Sequence, residues 1–326
     1  MKSTGGLEAV FLRIFHSSLR VGRGFDGLTK CPSCGATFGR NDHEGLARHF
    51  YQLSEESDAS HVMWLNRNMT KTKSDVKTLA GLLAEYLDTG SMGLQGWIKR
   101  RFIERFYGPK PHPLVLALQH PSRATLLGYV IEHQHFLSQW VRSCSYIMGK
   151  TDRVDVTLYE LENINTEFGG YGGDRPSHYE LLLRMGESLG LDRMTVLQME
   201  PLPDTRAAIQ VWNEIATKDH WVETMAAMHG LELIAHRNLK DEGASLTYFD
   251  PTILKSGEIT EATKNFLREG YEADVGHAEK ALELVAKYAA ELGLKENVQA
   301  TFLRSMEAFD MYLMARLERA GQFEGS

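Results

Sequence analysis

The run Glu269-Gly270-Tyr271-Glu272-Ala273-Asp274-Val275-Gly276-His277 sits inside a long segment, residues 260–292, whose apolar residues recur with helical period. Residues three apart share a helix face, so the Asp274 carboxylate and the His277 imidazole lie on one side. Position 270, one turn earlier on that side, is glycine. Whether this helix holds a metal decides the functional reading.

Outward from it, helical period runs through residues 97–107, 112–119, 122–149, 156–168, 177–190, 193–199, 204–218, 219–240 and 296–320. Apolar stripes are marked by Leu233, Ile234, Leu239, Leu282, Val285, Leu292, Met306, Phe309, Leu313 and Leu317. Strand signals are scarce and no repeat is visible. The expectation is an all-α bundle over residues 97–320. A shorter helix near 73–88 precedes the breaker Asp88-Thr89-Gly90-Ser91-Met92-Gly93, which sets the boundary of a separate N-terminal region, residues 1–90. Within that region Ala9-Val10-Phe11-Leu12 reads as a strand or a helix start.

The composition bounds the rest. A chain of 326 residues with 43% hydrophobic and 24% charged residues is an ordinary globular protein of one large or two modest domains. The net charge of −7 argues against nucleic acid as a partner. The basic run Lys99-Arg100-Arg101, followed by Phe102, Ile103, Phe106 and Tyr107, reads as the wet face of an amphipathic helix. Three cysteines cannot build a disulfide framework, and no apolar signal or membrane-spanning stretch is visible. The expectation is a reduced, cytoplasmic protein that makes no membrane contact, with a homodimer left open.

Cys31-Pro32-Ser33-Cys34 is a knuckle whose two thiolates suit one side of a tetrahedral zinc. Phe38, Leu46 and His49 follow in the order C-x2-C-x3-F…L-x2-H, which resembles the Cys2His2 zinc finger. No histidine follows His49 at the usual interval, since position 53 is leucine. His61 is the first candidate for the fourth ligand and His43 the second. The zinc is expected to be structural, or to serve a docking element.

The stretches His112–Leu118 and Gly128–His135 look like the opening of the haem-oxygenase-like fold, which thiaminase-II and pyrroloquinoline-quinone synthase share. The stretch Glu160–His178, with its Gly-rich turn, resembles the glutamate-to-histidine segment of that fold's iron-containing branch. Glu232 then precedes Asp274 and His277 at a similar spacing. The resemblance covers residues 97–320 and implies a non-haem Fe(II) enzyme, with one iron or two, that activates O2. It would act on a small, amino-acid-derived metabolite by N-oxygenation, desaturation or C–C cleavage.

Carried over by position, Glu167 and His178 would hold one iron, Glu232 would bridge, and Asp274 and His277 would complete the second. Carboxylates and neutral imidazoles are the donors such chemistry wants. The pattern has histidine where Gly270 stands, which puts the second iron in question; His229 and His236, flanking Glu232, are candidate replacements. His135 and Tyr129 are expected to orient the substrate, and Glu132 and His133 either to line the pocket or to face water. Two alternatives keep the fold: a cofactorless oxidase, or a thiaminase-II-like hydrolase, where Cys144 would echo the nucleophile. A third is a zinc-finger adaptor whose helical domain only binds a ligand or a partner.

Overall fold

The computed structural model describes residues 28–69, 73–170 and 176–324, and leaves the side chains of residues 272–275 undescribed. Ala9–Leu12 and most of the Gly-rich turn at 171–175 therefore lie outside the described residues.

A two-residue antiparallel ribbon, β1 (Thr29–Lys30) and β2 (Thr37–Phe38), carries the cysteine knuckle in its turn. Helices α1 (His43–Glu55), α2 (Ala59–Asn68) and α3 (Val76–Leu87) follow, each opened by an aspartate whose carboxylate caps a free backbone N–H. The helical region then runs α4 (Gly93–Phe102), α5 (Pro113–Ala117), α6 (Arg123–Lys150), α7 (Val154–Ile164) and α8 (His178–Ser188). It finishes with α9 (Arg193–Gln198), α10 (Pro203–Lys218), α11 (Trp221–His229), α12 (Glu261–Leu292) and α13 (Lys295–Gly321). The all-α expectation is met. No helix among the described residues is long and apolar enough to cross a membrane.

Helices α6 and α13 form the central pair, with α10 and α11 packed on both and α12 closing against α8 and α11. Gly128 permits the central crossing. A Cβ there would stand 2.2 Å from the Arg316 carbonyl and 2.7 Å from the Ala320 nitrogen, backbone that cannot yield.

The helix read over 219–240 stops at His229 and tightens into a 3-10 turn, Gly230–Ile234, followed by another at Arg237–Lys240. Its cause is packing: a Cβ at Gly230 would lie 2.6 Å from the Phe302 ring, so the chain enters this turn pressed against α13. The basic run at 99–101 is not a solvated face. Lys99 is buried with its ammonium between Glu242 (2.8 Å) and Glu279, and the Arg101 guanidinium lies 4.0 Å from the Tyr86 ring centre. Only Arg100 is exposed.

The N-terminal region does not swing free of the bundle. Thr29 donates to Glu296 at 2.7 Å, Lys30 pairs with Glu223 and Asp219, and Arg67 pairs with Glu307 at 2.7 Å. An aromatic ladder continues the join through Phe50, Trp64, Tyr86, Trp97 and Phe302, with successive ring centres 4.9, 6.0, 6.3 and 6.4 Å apart.

Candidate metal sites and cavity

Four donors converge beside the ribbon. Cys34 Sγ lies 3.3 Å from His49 Nε2, Cys31 Sγ lies 3.6 Å from His61 Nε2, and the two Nε2 atoms are 3.2 Å apart. Zn–S bonds of about 2.3 Å and Zn–N bonds of about 2.0–2.1 Å require tetrahedral edges of about 3.6 Å from sulfur to nitrogen and about 3.3 Å between nitrogens. The donor set fits zinc. His61 Nδ1 lies 2.6 Å from Asp58 Oδ1, an outer carboxylate that fixes the ring and its tautomer. The Cys34 thiol is driven down to about 4 by its hydrogen bond with Cys31, against the opposing effect of burial. His43 opens α1 and stands outside the set, which comes together through Cys31, Cys34, His49 and His61.

The second site is a cavity of about 80 Å³ inside the bundle. Glu167, His178, Glu232 and His277 line one part of it, and Gly270 lines the same wall as His277. Glu167 comes from a π-helical turn, Asn165–Gly169, that ends α7; such a bulge aims one side chain inward without breaking the helix path. His178 is the first residue of α8, and its Nδ1 lies 3.3 Å from Glu167 Oε1. Asp274 belongs to α12, but its side chain lies outside the described residues.

Two buried carboxylate oxygens here accept no hydrogen bond: Glu167 Oε2, although 3.2 Å from His178 Nδ1, and Glu232 Oε2. Each carboxylate is held through its other oxygen, Glu167 by His178 and Glu232 by His229, so these two oxygens are the ones left to accept a further ligand. The cavity donors are not gathered tightly: among the described residues, the groups already within reach of a single ion are the zinc set and Cys144, Glu160 and His229.

That buried trio lies behind Glu232. His229 Nε2 sits 2.9 Å from Glu160 Oε1, and its Nδ1 sits 2.9 Å from Glu232 Oε1. Burial opposes charge on this imidazole, but the two carboxylates outweigh it and raise its pKa to about 10. His229 is thus a charged clamp on Glu232 and not a donor facing the cavity. His236 also turns elsewhere, 3.1 Å from Glu279. Neither replaces the histidine absent at position 270.

The other end of the cavity is aromatic and cationic. Tyr129, Tyr248 and Arg316 line it, with His133 between them and His178. His135 does not line it. Two helical residues are separated by about 200°, so with His133 inward His135 turns out, to meet the Met199 carbonyl at 2.9 Å. Glu132 neither faces water nor lines the cavity; it is buried and paired with Arg319 at 2.7 Å.

The profile of the TENA/THI-4/PQQC family matches residues 97–320. A C2H2-type zinc-finger profile matches residues 28–88. Among solved structures, a TenA family transcription regulator from a Silicibacter species superposes with a TM-score of 0.50 at 13% identity, covering 68% of this chain and 91% of that one. A TenA homolog from Pseudomonas syringae pv. tomato gives 0.49 at 16% identity, covering 69% and 88%. A domain of unknown function with a heme oxygenase-like fold from Shewanella denitrificans gives 0.48 at 16%, covering 78% and 95%. A search of curated proteins finds no significant match.

Proposed function

Because the chain belongs to the TENA/THI-4/PQQC family, and carries its helical domain behind a zinc finger, we propose that it is a non-haem iron oxidase or oxygenase acting on a small metabolite. The observation that carries this reading is the pair of buried carboxylate oxygens that accept no hydrogen bond, Glu167 Oε2 and Glu232 Oε2, on residues that line one cavity with His178 and His277. Glu167, His178, Glu232 and His277 would hold the iron, joined by Asp274 from the same helix as His277. Bound Fe(II) would supply the electrons for O2 reduction.

The chain's own residues do the rest. His229 holds Glu232 by one oxygen and leaves the other turned to the cavity. Tyr129, Phe136, Trp140 and Phe266 wall the substrate from water. With Gly270 on the same wall, the chain offers one imidazole fewer than the six-ligand pattern, which favours one tightly held iron over two.

The thiol-based hydrolase has less support. Cys144 is fully buried and does not line the cavity, and burial together with Glu160 pushes its thiol well above the ordinary range. The finger's extensive seat on the bundle also fits a structural role better than that of a separate adaptor. Elemental analysis of purified protein tests the proposal: zinc together with iron supports it, and Glu232→Ala should remove iron while leaving zinc. Zinc alone after anaerobic ferrous loading would refute it.

A further inference from the structure

Arg316 is buried near the C-terminal end of α13, yet none of the described residues gives its guanidinium a carboxylate partner. Its hydrogen bonds go to neutral groups: to the Tyr248 hydroxyl at 2.7 Å, to His133 Nδ1 at 2.7 Å, and to the Tyr312 hydroxyl. The rings of Tyr129 and Tyr312 flank it, with centres 4.0 and 4.4 Å from the guanidinium carbon. A cation–π cage softens the loss of water but does not neutralise the charge. Other buried cations in this chain do have a counter-charge: Lys99 has Glu242 and Glu279, and Arg319 has Glu132. Arg316 alone among these three lines the cavity.

The guanidinium also fixes its neighbour. Arginine only donates, so the nitrogen of His133 that receives it must be the unprotonated one. The neutral ring therefore carries its proton on Nε2, a buried atom with no partner on a residue that lines the cavity. Burial, then the Arg316 charge, push this imidazole well below its ordinary pKa and keep it neutral. Tyr248, which accepts from Arg316, retains its own hydroxyl proton to give. One end of the cavity thus offers positive charge and donors, and the other offers carboxylates.

We propose that Arg316 and His133 Nε2–H form the binding site for a substrate carboxylate, so that the enzyme takes a monocarboxylate with an apolar body. The acid group would seat at the Arg316 end. The carbon chain would then lie along Phe136, Trp140 and Phe266, with its far atoms towards Glu167 and His178. A singly charged, planar group matches one guanidinium and one ring N–H, whereas a phosphate dianion would bring a second charge that no other cation among the described residues lining the cavity answers. This inference rests on the cavity being the catalytic site proposed above.

Intrinsic tryptophan fluorescence, with Trp140 in the cavity wall, tests it by titration with hexanoate and 3-phenylpropionate, with their uncharged amides, and with inorganic phosphate. Both carboxylates should bind about tenfold or more tightly than their amides. Arg316→Gln should abolish that preference and His133→Phe should weaken it, each with iron content unchanged. Equal binding of acids and amides by the wild-type protein overturns the proposal, and this comparison needs no variant to fold. So does a preference for phosphate, or failure of both acids to bind at millimolar concentration. A carboxylate preference that survives Arg316→Gln but vanishes on iron removal assigns the acid to the metal and likewise overturns it. If iron is absent while the Arg316-dependent preference persists, the iron reading falls and this one stands.

Discussion

His229 Nδ1 lies 2.9 Å from Glu232 Oε1, and this contact determines which oxygen of Glu232 remains turned to the cavity. The same ring binds Glu160 on its far side, so one buried cation serves two buried carboxylates. Breaking such a group by removing its centre costs about 3–5 kcal/mol, because the partners are left charged and dry. His229→Ala should therefore lower stability in urea by roughly that amount. The double variant His229→Leu with Glu160→Gln should recover part of the loss. A loss below about 1 kcal/mol for the single variant, the range of exposed pairs, would mean that the clamp is not formed.

Zinc removal should act on the whole domain and not only on the finger. The ribbon and α2 are tied to α13 by Thr29–Glu296 and Arg67–Glu307, and the aromatic ladder runs from Phe50 to Phe302. Chelation should lower the melting temperature of the bundle signal. His61→Ala should lose the zinc and His43→Ala should keep it. Asp58→Asn should weaken zinc binding about 10- to 100-fold through the loss of ring orientation. Competition with a chromophoric chelator measures each.

Acid should destabilise the protein through two histidine caps. His112 and His220 each use Nδ1 to accept a backbone N–H, from Leu114 at 3.1 Å and from Val222 at 3.3 Å, which protonation forbids. Burial lowers both to about 4 from an ordinary 6.5; for His112 the nearby Asp310 resists, and for His220 the Lys150 charge assists. Both folded values lie below the unfolded one. Their contribution is therefore complete above 6.5 and is lost as pH falls from 6.5 through about 4. Urea midpoints measured across that window should fall with pH. His112→Asn and His220→Asn, which keep the capping acceptor without the titration, should flatten the fall.

Gly270→His restores the imidazole that the family pattern has one turn before Asp274. Position 270 lines the cavity beside Tyr271 and His277, so the new ring enters the site. Iron per chain should rise towards two after anaerobic loading. Unchanged iron content would mean that another group already occupies that place.

The architecture was legible because it is written in period: α6, α12 and α13 are long runs with apolar stripes, and no strand signal competed with them. Three of the zinc donors were legible because Cys31, Cys34 and His49 follow the finger's spacing, whereas His61 lies off that spacing and is brought in by α2. What escaped depended on packing between elements. The break at Gly230 answers to the Phe302 ring, a residue far along the chain. His133 and His135 are equivalent in sequence, and only the seating of α6 against α13 decides which one faces inward. The Glu160–His229–Glu232 clamp joins α7 to the end of α11 and the 3-10 turn after it, with no local motif. Arg316 did leave a trace, standing on the apolar stripe of Phe309, Tyr312 and Leu313 where a cation does not belong unless something answers its charge.

If the proposed function holds, the cavity lined by Glu167, His178, Glu232 and His277 binds iron and turns it over with O2. The most direct test loads the zinc-containing protein with Fe(II) anaerobically, removes excess metal, counts iron per chain, and then follows O2 consumption on mixing with aerated buffer. At least one retained iron per chain and O2 uptake are expected, both lost in Glu167→Ala and Glu232→Ala while zinc is kept. Retention of zinc alone by the wild-type protein, or iron and O2 uptake unchanged in both variants, would contradict the proposed function.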